Sequence, residues 1–128
     1  MPDNIGQIRA KAAWGFAEAK KTNGKIDEKY KTCVSKFPMY VKTNGLVNAI
    51  AFAQSKSDWK PLYEDLQIYF RANDIAKKDP LNLLKDKFSD GKSLIEILIN
   101  IDDNDLLARI TTETFALFTW LKRFVSND

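Results

Sequence analysis

Two short stretches of the sequence contain residues whose types and spacing could bind a phosphate or a metal ion. The first, GKS at residues 91–93, has the ending of a phosphate-binding loop, in which backbone amides and a lysine hold a nucleotide. That motif needs another glycine five positions before Gly91, where Asp86 stands, and no strand pattern precedes it. We therefore interpret Ser89 or Asp90 as the start of a helix, with its side chain capping free backbone amides.

The second stretch, IDDNDLLARI, concentrates carboxylates that could bind calcium. A calcium loop counted from Asp103 needs an oxygen ligand at its fifth position, where the sequence has Leu107, and a glycine at its sixth, where it has Ala108. Carboxylates near a helix N-terminus are stabilised by the helix dipole. We therefore interpret residues 102–105 as an acidic corner that begins a helix.

The sequence contains no histidine. This absence removes the commonest general base, the usual metal ligand and every serine–histidine or cysteine–histidine nucleophile pair. Because no other catalytic constellation stands out, we expect a protein that is not an enzyme and that binds no metal or cofactor.

Composition indicates one folded domain over residues 1–128. The chain is 45% apolar and long enough to bury a core without disulfides or metals. Its lone cysteine, Cys33, fits a small packed hydrophobe in a reducing compartment. No apolar run reaches the ~18 residues of a membrane span, and the N-terminus lacks a leader pattern, so we expect a cytoplasmic protein without membrane contact. The net charge of +3 is too small to indicate a nucleic-acid binder by itself.

The segment VKTNGLVNAIAF presents two alternatives for Asn44-Gly45. Asn-Gly between apolar runs is the strongest short signal for a β-hairpin. However, the apolar residues after Gly45 recur at intervals of three and four, as in a helix, and those before it do the same. We therefore predict a corner between two helices, with Gly45 in the left-handed conformation.

The same periodicity predicts an all-α domain of about six to eight helices. We place helices at about 3–21, 26–43, 46–56, 57–70, 94–99 and 112–125. Asn23-Gly24 is expected to end the first helix, and Pro38 to kink or break the second after Phe37. Residues 72–89 are predicted to form a linker with a short helix, and residues 106–110 a short turn.

Basic residues on the predicted helices are the best candidates for a binding surface. On a helical wheel Lys25, Lys29 and Lys36 fall within about 40° of one another. Lys31 and Lys42 align on the other flank of the same helix, and Arg9 and Lys20 align on the first helix. Any one of these lysines could simply be solvated, but a ridge of them suits a polyanion.

The final helix has an unusual outer face. Leu117, Phe118, Leu121, Phe124 and Val125 define its core side, whereas Phe115, Thr119 and Arg123 lie opposite. An aromatic residue that faces away from the core needs a partner or a neighbouring helix to cover it. Phe115 and Thr119 are therefore candidate partner contacts, and an aromatic beside arginine can also stack a base.

Three segments together resemble the small α-helical subunit of the type III-B CRISPR effector, the Cmr complex. In that family lysine, an apolar residue and proline lead through NGL into an apolar helix, and a T-x-E-x-x-A-x-x-x-W-L-[KR]-[KR]-F segment closes the chain. The matching residues are Arg9 in an alanine-rich helix, Lys36-Phe37-Pro38, Asn44-Gly45-Leu46, Thr111 or Thr112 with Glu113, Ala116 and Trp120-Leu121-Lys122-Arg123-Phe124. Residues 58–105 match only in helical character and length.

The resemblance implies a non-catalytic subunit that assembles with the backbone and large subunits of the effector. Copies of it would stack into a short filament that lines the path of crRNA and target RNA, while other subunits cleave the target. The candidate RNA contacts are Arg9, Lys20, Lys29, Lys36, Lys42, Lys122 and Arg123. Alternatives are the small subunit of a type III-A complex and a free-standing helical regulator that binds nucleic acid.

Overall fold

A computed structural model of the chain, which describes residues 4–72 and 74–126, confirms the helical fold class. In the described part six α-helices follow in the order α1 (Ile5–Ala19), α2 (Glu28–Asn44), α3 (Leu46–Ser55), α4 (Lys60–Arg71), α5 (Leu94–Ile99) and α6 (Asn104–Ser126). Within the same described ranges, short 3-10 segments occupy Ser57–Trp59, Ile75–Lys77 and Ser89–Gly91. A two-stranded hairpin joins β1 (Lys21–Thr22) to β2 (Lys25–Ile26).

The longest helix, α6, packs between α1 and α2. Alanines at positions 12, 13 and 17 of α1 are buried, and their small side chains let the backbones of α1 and α6 come close. On the other side the fully buried rings of Phe37 in α2 and Phe118 in α6 stack with centroids 5.1 Å apart. Helix α3 then packs on α2, α4 and α5. The two faces of α6 therefore organise most of the core.

The hairpin corrects the predicted ends of the first two helices. Asn23 and Gly24 have φ angles of 54° and 80°, the positive values that a tight two-residue hairpin turn requires. Helix α1 ends at Ala19, and the buried Ile26 belongs to strand β2 rather than to α2. Asn23-Gly24 is therefore a hairpin turn and not a helix end, and strands of two residues are too short to show an alternating pattern in the sequence.

The corner between α2 and α3 is confirmed, and Gly45 is its one connecting residue. Its N–H donates to the Val41 carbonyl at 2.8 Å, and its own carbonyl accepts from Ala49 N–H at 3.1 Å. The φ of 85° is positive as predicted, but the ψ of 161° is extended and not left-handed helical. Leu46, directly after it, is buried, whereas Asn44 is exposed.

The predicted break in α2 and the predicted start of the last helix at Thr112 are wrong, whereas a kink at Pro38 stays a prediction. Helix α2 continues without a break across the half-buried Pro38. Helix α6 begins at Asn104 instead of Thr112, with Asp103 Oδ1 accepting from the Asp105 and Leu106 amides at 2.9 and 3.2 Å. The β-branched threonines near position 112 weaken helix propensity. The burial of Ile110, one turn before Thr114, overrides that preference.

The segment between α4 and α5 contains turns and 3-10 segments, and its described residues form no α-helix. Asp79 organises it from a buried position. Its carboxylate accepts from the amides of Leu81 and Leu83, both at 2.9 Å, and its own N–H donates to the Tyr69 carbonyl at 2.8 Å. Burial raises the pKa of Asp79, and these two amide hydrogen bonds oppose that effect.

Candidate nucleic-acid interface

Arg9, predicted as an RNA contact, is bound to a buried carboxylate. Its Nε donates to Glu113 Oε2 at 2.8 Å and its Nη2 to Oε1 at 2.6 Å, in a two-pronged pair between α1 and α6. The Tyr69 hydroxyl also donates to Glu113 Oε2 at 2.6 Å. Hydrogen bonding to Glu113 raises the pKa of Arg9, while burial raises the pKa of Tyr69. Arg9 therefore joins helices, and its contact with RNA stays a prediction.

Lys20 has a similar arrangement at the end of α1. Its Nζ lies 2.7 Å from Asp65 Oδ2 and 4.6 Å from the centre of the Tyr30 ring, and the Tyr30 hydroxyl donates to the same carboxylate oxygen at 2.6 Å. The charge of Lys20 is thus compensated within the fold. The sequence could not show this, because Asp65 lies 45 residues away along the chain.

Replacing Asp65 with asparagine should change how stability depends on pH. Burial raises the pKa of Asp65, although Lys20 and Tyr30 act against it. A carboxyl whose folded pKa is raised stabilises the fold when protonated, and that contribution is lost as pH rises through the folded value. The free energy of unfolding of the natural chain minus that of Asp65→Asn should therefore fall as pH rises from about 3 upward. Urea unfolding at several pH values measures this difference, and a rise would contradict the raised pKa.

Lys29 and Lys36 lie on a flank of α2 that also carries acidic side chains. Lys29 Nζ is 3.5 Å from Asp58 Oδ1, in an exposed pair. Lys36 lines the same surface depression, together with Glu28 and Asp58. Lys25, which the helical wheel grouped with them, belongs to β2. The predicted ridge is therefore shorter than expected and carries both signs of charge.

The structure brings another set of basic residues together between α2 and α6. An open groove of about 570 Å³ separates the N-terminal half of α2 from the C-terminal end of α6. We call it the α2–α6 groove; its lining residues are Lys31, Ser35, Thr119, Lys122, Arg123, Val125 and Ser126. Among the described residues that line it there is no carboxylate, although Glu28 approaches Lys31 Nζ at 3.6 Å from one side.

Lys42 and Phe115 extend this basic surface along the same pair of helices. Lys42 Nζ lies 5.8 Å from the centre of the Phe115 ring, within range of a cation–π contact. Phe115 is half-buried and packs against the core, as expected in the alternative where a neighbouring helix covers it. Thr119 is exposed and its hydroxyl donates to the Phe115 carbonyl at 3.0 Å. Lys31 and Lys42 are eleven residues apart, which is about 16 Å along a helix.

The α2–α6 groove unites residues that the sequence had assigned to separate groups. Thr119, Lys122 and Arg123 were predicted as partner or RNA contacts, and all three line it. Lys31 and Ser35 were missing from the predicted site. Positions 31, 35 and 42 share one face of α2, and positions 115, 119, 122 and 126 share one face of α6 in the same way. This helical spacing could have indicated Lys31 and Ser35 as members of the site.

The stretches that resembled a phosphate loop and a calcium loop have structural roles. Ser93 Oγ accepts from the Glu96 amide at 3.3 Å and caps α5, whereas only a short 3-10 segment begins at Ser89, without a side-chain cap. Asp103 caps α6, as the acidic corner predicted. Cys33 is buried, and this burial raises its pKa to about 11. No group of three metal-ligating side chains occurs within residues 4–72 and 74–126.

Comparison with known proteins gives one family. A family model described as CRISPR-associated protein (Cas_Cmr5) matches residues 5–127. No solved structure matches the chain. Within the described residues, no helix has the length and apolar character needed to cross a membrane.

Proposed function

The chain belongs to the Cmr5 family of CRISPR-associated proteins and is a small subunit of a type III-B Cmr complex, and from this premise we propose that it holds the phosphate backbone of RNA in the α2–α6 groove. The observation that carries this proposal is the collection of three cationic side chains and three hydroxyls around one open groove without a lining carboxylate among the described residues. Lysine and arginine bind phosphates strongly, and serine and threonine hydroxyls add hydrogen bonds.

Such contacts position a strand without reading its sequence. This property suits a guide-programmed effector, in which base pairing between guide and target provides the specificity. The RNA held in the groove would be crRNA, its target, or both where they are paired. The groove lies on two packed helices, so the backbone positions that carry its cations are fixed relative to each other.

The proposal includes no chemistry by this subunit. Its support is the absence of histidine from the sequence and the structural roles of the acidic corner and of GKS at residues 91–93. Target cleavage would then belong to other subunits of the complex. A free-standing DNA-binding regulator would need a recognition helix with several exposed polar side chains, and family membership favours the effector instead.

Assembly would make a weak site useful. Alone, a few phosphate contacts give modest affinity, with dissociation constants of about 10⁻⁴ to 10⁻⁶ M for non-specific binding. Copies stacked as a filament beside the backbone subunits, in the cytoplasm, would present several grooves to one strand and raise the effective concentration of each. Phe115 and Thr119 would lie beside the bound strand or at the contact with the next subunit.

A charge-matched pair of double variants tests the groove. Replacing Lys122, which lines the groove, and Lys42, which extends its basic surface along α2, with alanine should weaken retention of target RNA by the assembled complex by roughly ten-fold at 0.1 M salt, because two phosphate contacts are lost. The slope of log K against log salt should become shallower by about 1.4, at about 0.7 for each contact to a single strand. Filter binding over a salt series measures both quantities.

The matched control replaces Lys29 and Lys36 with alanine, which removes the same charge from the flank that contains Asp58 and Glu28. We expect this control to lose less affinity and less slope. Equal losses of affinity and slope in the two double variants would mean that RNA binding depends only on net charge. The groove would then not be the RNA site. All four lysines are exposed, so stability should change by only about 0.5 kcal/mol.

A further inference from the structure

A row of three aromatic rings lies between α1 and α6. The Trp14 and Phe124 rings meet edge to face with centroids 5.2 Å apart, and the Trp120 ring follows at 5.9 Å from Phe124. We call Trp14, Phe124 and Trp120 the aromatic platform. Trp14 is 53% exposed, whereas the neighbouring Ala13 and Phe16 already bury the core side of α1. An indole this exposed on a helix surface is available for a partner.

Cations lie at both ends of the aromatic platform. Lys21 Nζ is 5.8 Å from the Trp14 ring, and Arg123 Cζ is 5.5 Å from the Trp120 ring. Lys21 also has an ion pair with Glu18 at 3.3 Å, an exposed pair of the kind that contributes little to stability. Arg123 lines the α2–α6 groove as well. The aromatic platform is therefore continuous with the basic groove through one guanidinium.

We propose that the aromatic platform stacks unpaired bases of a single-stranded RNA whose phosphates lie in the α2–α6 groove. This inference rests on the proposed function, since the groove supplies the phosphate contacts. Proteins that bind single strands combine a basic groove for the backbone with aromatic faces for the bases. The flanking cations favour an RNA strand over an apolar protein surface, which would have to desolvate Lys21 and Arg123.

The discriminating variant is Trp14→Leu, which keeps apolar contact with Phe124 but removes the stacking surface. The probes are oligoadenylate and inorganic polyphosphate of equal charge, added to the full chain at low salt. Stacked adenine quenches indole fluorescence, so oligoadenylate should quench the natural chain and polyphosphate should not. We expect Trp14→Leu to bind oligoadenylate about ten-fold more weakly and to bind polyphosphate with unchanged affinity.

The double variant Lys42→Ala, Lys122→Ala separates this inference from the proposed function. It should weaken the binding of both probes, because both contain the charges that the groove recognises. If the double variant behaves in this way but Trp14→Leu binds oligoadenylate like the natural chain, the aromatic platform does not bind bases. The proposal that the groove binds phosphates would then be unaffected. Unchanged RNA binding together with weaker assembly with the other Cmr subunits would assign Trp14 to a protein contact instead. If the natural chain binds neither probe, both proposals are wrong.

Discussion

Replacing Glu113 with alanine is expected to lower the free energy of unfolding by about 3 kcal/mol. The Glu113 side chain is only 1% exposed, and it accepts hydrogen bonds from Arg9 and from Tyr69. Its removal leaves a guanidinium and a fully buried hydroxyl without their acceptor. We expect the lower end of the 3–5 kcal/mol range for broken buried pairs because Arg9 is 22% exposed and can recruit water. Denaturant unfolding measures the loss.

Two further variants show how much of this loss comes from the unpaired groups. Glu113→Gln keeps the side-chain shape and one acceptor oxygen but places an NH2 donor at the other position, so it should lose less than Glu113→Ala and still lose part of the pair. Replacing Arg9 with methionine and Glu113 with leucine together removes the buried charge and its partner, and should cost less than Glu113→Ala alone. A loss below about 1 kcal/mol for Glu113→Ala would contradict a stabilising role for the pair.

The Glu113 pair also shows what the sequence could not provide. Arg9 and Glu113 are 104 residues apart, and nothing local distinguishes them from solvated charges on two amphipathic helices. A buried ion pair depends on how α1 approaches α6, which is a property of the whole fold. For the same reason the sequence assigned Arg9 and Lys20 to RNA, whereas the structure pairs them with buried carboxylates.

Local elements were predicted where side-chain periodicity and end signals agree. Helix α5 was predicted at 94–99 and is observed at Leu94–Ile99, and α3 differs from its prediction by one residue. The first turns of α6, residues 104–111, were not predicted because Thr111 and Thr112 oppose a helix locally, while burial of Ile110 favours one. In the same way, packing of α2 overrides the expected break at Pro38.

The candidate site was predicted in pieces. The helical wheel placed Lys42 with Lys31, and placed Thr119 and Arg123 on one face of the last helix. It could not say which flank of α2 faces α6. The contacts from Phe37 to Phe118 and from Lys42 to Phe115 show that these helices run antiparallel. That orientation joins the two faces into the α2–α6 groove and turns Lys36 away from it.

Replacing Gly45 with alanine should destabilise the protein by about 2 kcal/mol. A φ of 85° with a ψ of 161° is a backbone conformation that essentially only glycine adopts. A Cβ atom at this position would meet no atom within 4 Å, so the loss would come from the backbone of Gly45 itself. The alternative for the chain is to change these angles, which would disturb the single-residue corner that ends α2 and begins α3. Thermal and denaturant unfolding of the isolated chain measure the effect.

Gly15→Ala is the matched control, because it adds the same methyl group at another position with open space. Gly15 lies inside α1, where no atom stands within 4 Å of an added Cβ and no positive φ occurs. Alanine restricts the unfolded chain and favours helix, so this variant should stabilise the protein by about 0.4–1 kcal/mol. The two substitutions should therefore change stability in opposite directions. A neutral or stabilising effect of Gly45→Ala would contradict the positive φ and extended ψ of Gly45 at the corner.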